Sequence, residues 1–297
     1  MKIRSTGDKV FDGINYTLLA IVLCIVAFPL LFVLAASISS PDAVVTGKVW
    51  FWPVGLNISA YNQIFQQGTI MSGYKNTIIY TVVGTVINLI MTTCAAYPLS
   101  RRDFAGRGFF MMAMVFTMYF SGGLIPSFLN IRDLGMIDTL WVMVIPGAIS
   151  TYNVIIMKTF FQNTIPAELH EAATIDGCSN LRTLVSIILP LSKPVMSVMV
   201  LFYAVGHWNA YFNAMIYLTT ASKFPLQIIL RDILILKQPL EMQGLTEADL
   251  LAHSEQLKRG ELLKYAIIVV ANLPILLIYP LLQKYFVHGM MIGSVKG

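Results

Sequence analysis

Six runs of mostly apolar residues divide this chain, extending approximately over residues 14–37, 76–97, 109–129, 140–161, 194–218 and 263–286. Each is long enough to cross a bilayer, because a spanning helix needs about 20 such residues and satisfies its backbone donors internally. The pattern predicts an all-α integral membrane protein with six transmembrane helices. Pro29, Pro126, Pro146 and Pro274 fall inside these runs. Neighbouring helices re-satisfy the carbonyl that such a proline frees, so kinks and not breaks are expected.

The segment between the fourth and fifth runs, residues 166–191, is polar to amphipathic. Pro166 suits the first turn of a helix and Gly177 suits its end, so one short helix fits between them. Leu169, Ala172 and Ala173 stand at i, i+3 and i+4, an apolar ridge with Glu168, Glu171 and Asp176 around it. A helix this short is marginal unless it packs on something. A partner protein and the chain's own bundle are both open as that surface.

Composition agrees with a membrane environment: 57% of residues are hydrophobic and 12% charged, with a mean hydropathy of +0.72. So few charges cannot cover the core of a soluble protein of this size. The first apolar run is too long for the core of a cleavable leader and lacks a nearby small-x-small site, so it is expected to stay as an anchor. Cys24, Cys94 and Cys178 are widely spaced and odd in number. They fit neither a disulfide framework nor a metal site and are expected to be small buried hydrophobes.

Lys and Arg placement sets the expected orientation. With both termini in the cytoplasm, the inner segments carry Lys2, Arg4, Lys9, Arg101, Arg102, Arg107, Lys158, Arg182, Lys193, Lys284 and Lys296. The two shorter outer loops carry only Lys48, Lys75 and Arg132, which is the positive-inside bias. The third outer loop, 219–262, is richer in cations and weakens the contrast. The resulting organisation is a cytoplasmic segment over 1–13, a six-span domain over 14–286 and a cytoplasmic tail over 287–297. The formal net charge of +5 reflects that bias and carries no evidence for an anionic ligand.

Glu171, Ala172, Ala173, Gly177, Ile187, Leu189 and Pro190 resemble the EAA motif of ABC importer permeases: Glu-Ala-Ala, three residues, Gly, nine residues, Ile-x-Leu-Pro, with every spacing kept. Further stretches are similar to MalG-like subunits of carbohydrate importers, especially lipo-oligosaccharide and polysaccharide-fragment permeases. They are Trp208 to Asn213 with Leu218, Phe224 to Gln227 with Leu230 and Arg231, and the Gly-rich tail from Gly289 to Gly297. The resemblance implies a MalG-like permease fold in a bacterial inner membrane, with a coupling helix docking on a cytoplasmic ATPase. Asp176 joins the docking element beside Gly177. The resemblance also implies a second homologous permease, two ATPase subunits that bind ATP and Mg, an external solute-binding protein and an oligosaccharide substrate. That branch points to an acidic polysaccharide fragment as one form such a substrate takes.

The fifth run has a chemical reading of its own. Tyr203, His207 and Tyr211 fall at i, i+4 and i+8, while Trp208 pairs with Phe212 and Asn209 with Asn213 at i, i+4. Aromatic faces suit the C–H faces of sugar rings and amides suit their hydroxyls. The same residue types also glue transmembrane helices together, so both roles are open.

Absences narrow the function further. No Asp, Glu, Lys or Arg stands mid-run, whereas a proton-coupled secondary carrier, the alternative function, usually keeps intramembrane carboxylates. The chain has no P-loop and so no expected nucleotide site of its own. Glu168, His170 and Glu171 are the nearest approach to a catalytic or metal cluster and are expected to be the solvated side of the short helix, so neither an enzyme nor a metal site is expected. No nucleic-acid partner is expected.

Overall fold

The computed structural model describes residues 6–233, 258, 260–278 and 280. The tail over 287–297, the end of the sixth apolar run and most of the third outer loop lie outside the described residues. Among the described residues every regular element is helical, as the apolar periodicity predicts.

The chain divides into two compact units, the first formed by Met1–Ile70 with Leu230–Leu273. Its first helix, α1 (Thr6–Ser37), is long, strongly apolar and almost uncovered by its own chain. Pro29 sits inside it without breaking it. Short helices α2 (Pro41–Val45) and α3 (Ser59–Gln66) follow. Ser40 caps α2 by accepting from the Ala43 amide, and Pro41 begins the helix where its missing N–H costs nothing. Ala35, Ala36, Ala43 and Val49 make a small core. The Tyr61 hydroxyl reaches Ser37 Oγ at 2.8 Å and so holds α3 to the end of α1.

The second unit comprises Met71–Ile229 with Pro274–Gly297. Its axis is α4 (Gly68–Ser100), continuous through Pro98. Next come α5 (Arg107–Tyr119), α6 (Leu124–Asp133), α7 (Leu140–Val144), α8 (Thr151–Thr164), α9 (Ala167–Ile175), α10 (Asn180–Leu191), α11 (Lys193–Trp208), α12 (Phe212–Tyr217) and α13 (Leu226–Arg231). The last described helix, α14 (Gly260–Ile278), belongs to the first unit as far as Leu273; it is again long and apolar and contains Pro274 without a break.

Three apolar runs are not the single helices expected of them. The third breaks between α5 and α6 with a bend of 113°, through a linker containing Gly122 and Gly123. The fourth breaks between α7 and α8, with Pro146 in the gap, so that proline is a break and not a kink. The fifth ends at Trp208 and restarts at Phe212. On its N-terminal side it meets α10 at a bend of 86°. Among the described residues, three helices can each cross a membrane by length and composition, rising to five if each bent pair counts as one span. The cysteine expectation also fails, since Cys24 and Cys94 are exposed and Cys178 is half-buried. On α1 and α4 these thiols lie on apolar surface that the chain itself does not cover.

Two cores sit at opposite ends of α4. One gathers Ala96, Tyr97 and Leu99 of α4 with Val154, Met157 and Phe161 of α8 and parts of α10 and α11. The other packs Tyr80 against Val142, Met143 and Val144 of α7 and Ala214 and Tyr217 of α12.

Candidate coupling loop and translocation site

The short helix expected after Pro166 is α9, with Pro166 as its N-cap and Asp176 as its C-cap. Glu168 in its first turn complements the helix dipole. At the other end the Gly177 amide donates to Thr174 O and the Cys178 amide to Ala173 O, at 3.1 and 2.9 Å. This is a Schellman closure. It requires the left-handed conformation that Gly177 adopts at φ +69°.

The apolar ridge is split between two surfaces. Ala173 is buried and Leu169 packs on the core of α4 and α8, whereas Glu171, Ala172, Asp176 and Gly177 are exposed. Ile175 is 86% exposed, and exposed Leu181 continues the outward apolar surface across the turn. Ile187 and Leu189 pack inward on the same core while Pro190 is exposed. They belong to a stretch of α10 in which Leu184–Ile188 widens to π geometry.

His170 is not on the solvated side. It is half-buried, its ring centroid lies 6.0 Å from that of Tyr97, and its buried Nδ1 has no hydrogen-bond partner among the described residues. Burial, aided by the Arg101 charge, lowers its pKa, so it is neutral at pH 7.

Arg101 fastens this loop to the end of α4. Its guanidinium donates to Asp103 through Nε and Nη2 (2.8 and 2.7 Å), and through Nη1 to Asn180 Oδ1 at 3.0 Å and the Tyr97 hydroxyl at 3.3 Å. The paired Asp103 carboxyl is held below its ordinary range by those bonds. Sequence reading took Arg101 only as a topological charge. The adjacent Arg101-Arg102-Asp103 at the end of an apolar run is a signal of a tethered turn, but its partner Asn180 lies too far along the chain to be read from spacing.

The stripe expected along the fifth run divides in two. Tyr203 and Trp208 are buried. The Tyr203 hydroxyl is 2.6 Å from Thr92 Oγ1, and Trp208 meets Tyr74 edge to face at 5.7 Å. His207 Nε2 lies 2.6 Å from Asn88 Oδ1, and Asn88 donates from Nδ2 to Gly147 O at 2.6 Å. These three side chains join α11 to α4. By contrast, Asn209, Tyr211, Phe212 and Asn213 are exposed at the break between α11 and α12. Tyr211 is therefore not on the same helix as Tyr203, and the i, i+8 alignment does not exist.

Outside the spans, Asp138 makes a clasp that sequence reading missed. At φ +57° it accepts from the Thr219 and Thr220 amides at 3.0 Å each, from Thr220 Oγ1 at 2.6 Å and from Lys223 Nζ at 2.7 Å. Those bonds drive its carboxyl far below the usual range. No metal-holding group of His, Cys, Asp or Glu occurs among the described residues.

Residues 67–292 match the family described as the binding-protein-dependent transport system inner membrane component. The chain belongs to this family. The permease is 41% identical to the protein LplC of Bacillus subtilis (strain 168) over 294 residues, covering 99% of this chain and 97% of that one. It is also 41% identical, over 98% of this chain and 99% of the relative, to the polygalacturonan/rhamnogalacturonan transport system permease protein YtcP of the same organism. Among solved structures it is similar to a chain of a bacterial ABC transporter involved in the import of the acidic polysaccharide alginate. That likeness has a TM-score of 0.85 and 35% identity over 96% of this chain and 100% of that one. The protein is thus a membrane permease of an ABC importer and not an enzyme, and membership implies binding-protein and ATPase partners. The reading as a secondary carrier falls away.

Proposed function

We propose that this permease forms half of the translocation path for an oligosaccharide delivered by an external binding protein. Its importer contains a second homologous permease and two cytoplasmic ATPase subunits that hold ATP and Mg. Six crossings are assigned to α1, α4, α5 with α6, α7 with α8, α11 with α12, and α14, with both termini cytoplasmic. α9 is the coupling helix between the fourth and fifth crossings.

The carrying observation is the helix break at Asn209–Tyr211. From Lys193 the 16 residues of α11 rise about 24 Å, which ends the helix inside a hydrocarbon layer of roughly 30 Å. Non-helical backbone at that depth is tolerated only inside protein or beside a water-filled cavity. The break presents Asn209, Tyr211, Phe212 and Asn213 outward, amides and rings that suit sugar hydroxyls and sugar faces. On the cytoplasmic side, outward Ala172, Ile175, Gly177 and Leu181 form a small, firm surface for the ATPase, and inward Ala173, Ile187 and Leu189 fix it to the bundle.

The relatives named for polygalacturonan, rhamnogalacturonan and alginate support an acidic polysaccharide fragment as the substrate. The test is uptake by proteoliposomes holding the complete importer and its binding protein. Oligogalacturonide or oligoalginate is expected to enter only with internal ATP, and neutral maltodextrin not to enter. Equal uptake without ATP would overturn the ATP-driven path, and maltodextrin uptake alone would overturn the acidic substrate.

A further inference from the structure

We propose that the groove between α5 and α8 binds an anionic phospholipid, its phosphate at Arg107 and Lys158 and one acyl chain along Met111, Met112 and Val115. The groove holds about 480 Å³ and is cationic at one end and apolar along the rest. Thr151 Oγ1 donates to Met114 O at 3.3 Å, which sets the register of two helices running in opposite directions. Seven residues from that bond, backwards on α5 and forwards on α8, stand Arg107 and Lys158. They are therefore level with each other, about two turns from the bond.

Neither cation has a carboxylate partner among the described residues, and Asp103, the acid of the adjoining turn, is engaged by Arg101. Two unneutralised cations at one level of a membrane protein call for an anion, and a guanidinium grips a phosphate with paired N–H groups. Gln162 lines the same end. Its Nε2 donates to Ser100 O at 3.2 Å, which leaves its carbonyl to accept from a headgroup hydroxyl. A free phosphate would use only this end. The apolar remainder, with Met112 71% exposed and flexible methionines able to follow a hydrocarbon chain, selects a lipid. Basic sites between transmembrane helices at a membrane surface take anionic headgroups.

Arg107 and Gln162 also line the neighbouring cleft with Arg102, His170 and Glu171 of the coupling region. A lipid held there adjoins α9, the helix that carries the Glu-Ala-Ala stretch. The inference requires that the chain spans a membrane and is independent of which face is cytoplasmic, of the substrate and of the coupling assignment.

The test uses the assembled importer in nanodiscs of equal parts phosphatidylglycerol and phosphatidylcholine, washed with detergent, with retained lipid counted by mass spectrometry. The wild type is expected to retain phosphatidylglycerol over phosphatidylcholine, undisplaced by excess inorganic phosphate. Arg107→Gln with Lys158→Gln is expected to lower that retention by about an order of magnitude, and Arg107→Lys with Lys158→Arg to keep it. Val115→Trp fills the slot with both charges intact and is also expected to lose the lipid, which decides the matter if the double variant fails to assemble. Three results would each overturn the site: equal retention of the two lipids by the wild type, displacement by inorganic phosphate alone, or undiminished retention of phosphatidylglycerol by the double variant or by Val115→Trp.

Discussion

The imidazole of His207 occupies the space a β-carbon would take at Gly84, so any side chain at residue 84 would overlap its ring. His207 is held there by Asn88, one turn along α4 from Gly84. The absent side chain at Gly84 is what lets α11 approach α4.

Gly84→Ala should therefore destabilise the assembled permease by about 1–3 kcal/mol, the usual cost of overpacking. Thermal unfolding of the purified complex measures it. Adding His207→Ala should recover much of the loss, because the clash disappears with the ring. A Gly84→Ala complex melting like the wild type would show that the two helices can part without cost.

Gly177→Val should reduce ATP-driven transport while membrane insertion persists. A β-branched residue resists φ +69°, so the turn after α9 opens and the outward surface of Ala172, Ile175 and Leu181 is displaced. Co-purification of ATPase subunits with the variant should fall in parallel. Normal transport at normal expression would remove Gly177 from the docking element.

At the helix break, Tyr211→Ala and Asn209→Ala should lower sugar uptake while basal ATPase and melting temperature stay near wild type. Tyr203→Phe serves as the contrast. It deletes the buried bond to Thr92 and should lower stability by roughly 1 kcal/mol, leaving uptake per folded complex intact. A parallel fall of every activity in the Tyr211 and Asn209 variants would assign those residues to packing.

Asp138 gives an acid-dependent outcome. Its carboxyl is depressed by Lys223, Thr220 and Thr219, so the clasp contributes stability in full above the ordinary carboxylate pKa. That contribution is lost as pH falls from about 4 through the lower folded value. Asp138→Asn should melt at a lower temperature at neutral pH and show a smaller further loss on acidification than the wild type. An identical acid dependence of the two proteins would place the titrating group elsewhere.

Helical class, membrane residence and family membership were legible because they depend on local order in the sequence. Apolar runs of spanning length, and Glu171, Ala172, Ala173 and Gly177 in fixed spacing, need no distant partner to be read. The helix between Pro166 and Asp176 followed from its own terminal residues. Which of its faces turns inward did not, since Leu169 packs on the core of α4 and α8 and His170 stands against Tyr97 of α4.

Tertiary structure alone decided where helices stop inside the apolar runs and which polar side chains remain accessible. Hydropathy is nearly blind to a break after Trp208, because the apolar run resumes on its far side with Tyr211, Phe212 and Ala214–Leu218. Likewise, nothing local distinguishes His207 from Asn209. The first is claimed by Asn88, 119 residues away in sequence, and the second, exposed, donates only within its own turn to the Val205 carbonyl. Spacing along the chain specifies what a side chain can bond to within a helix turn or two. Separating the buried side chains from the accessible ones therefore required the distant helices to be brought together.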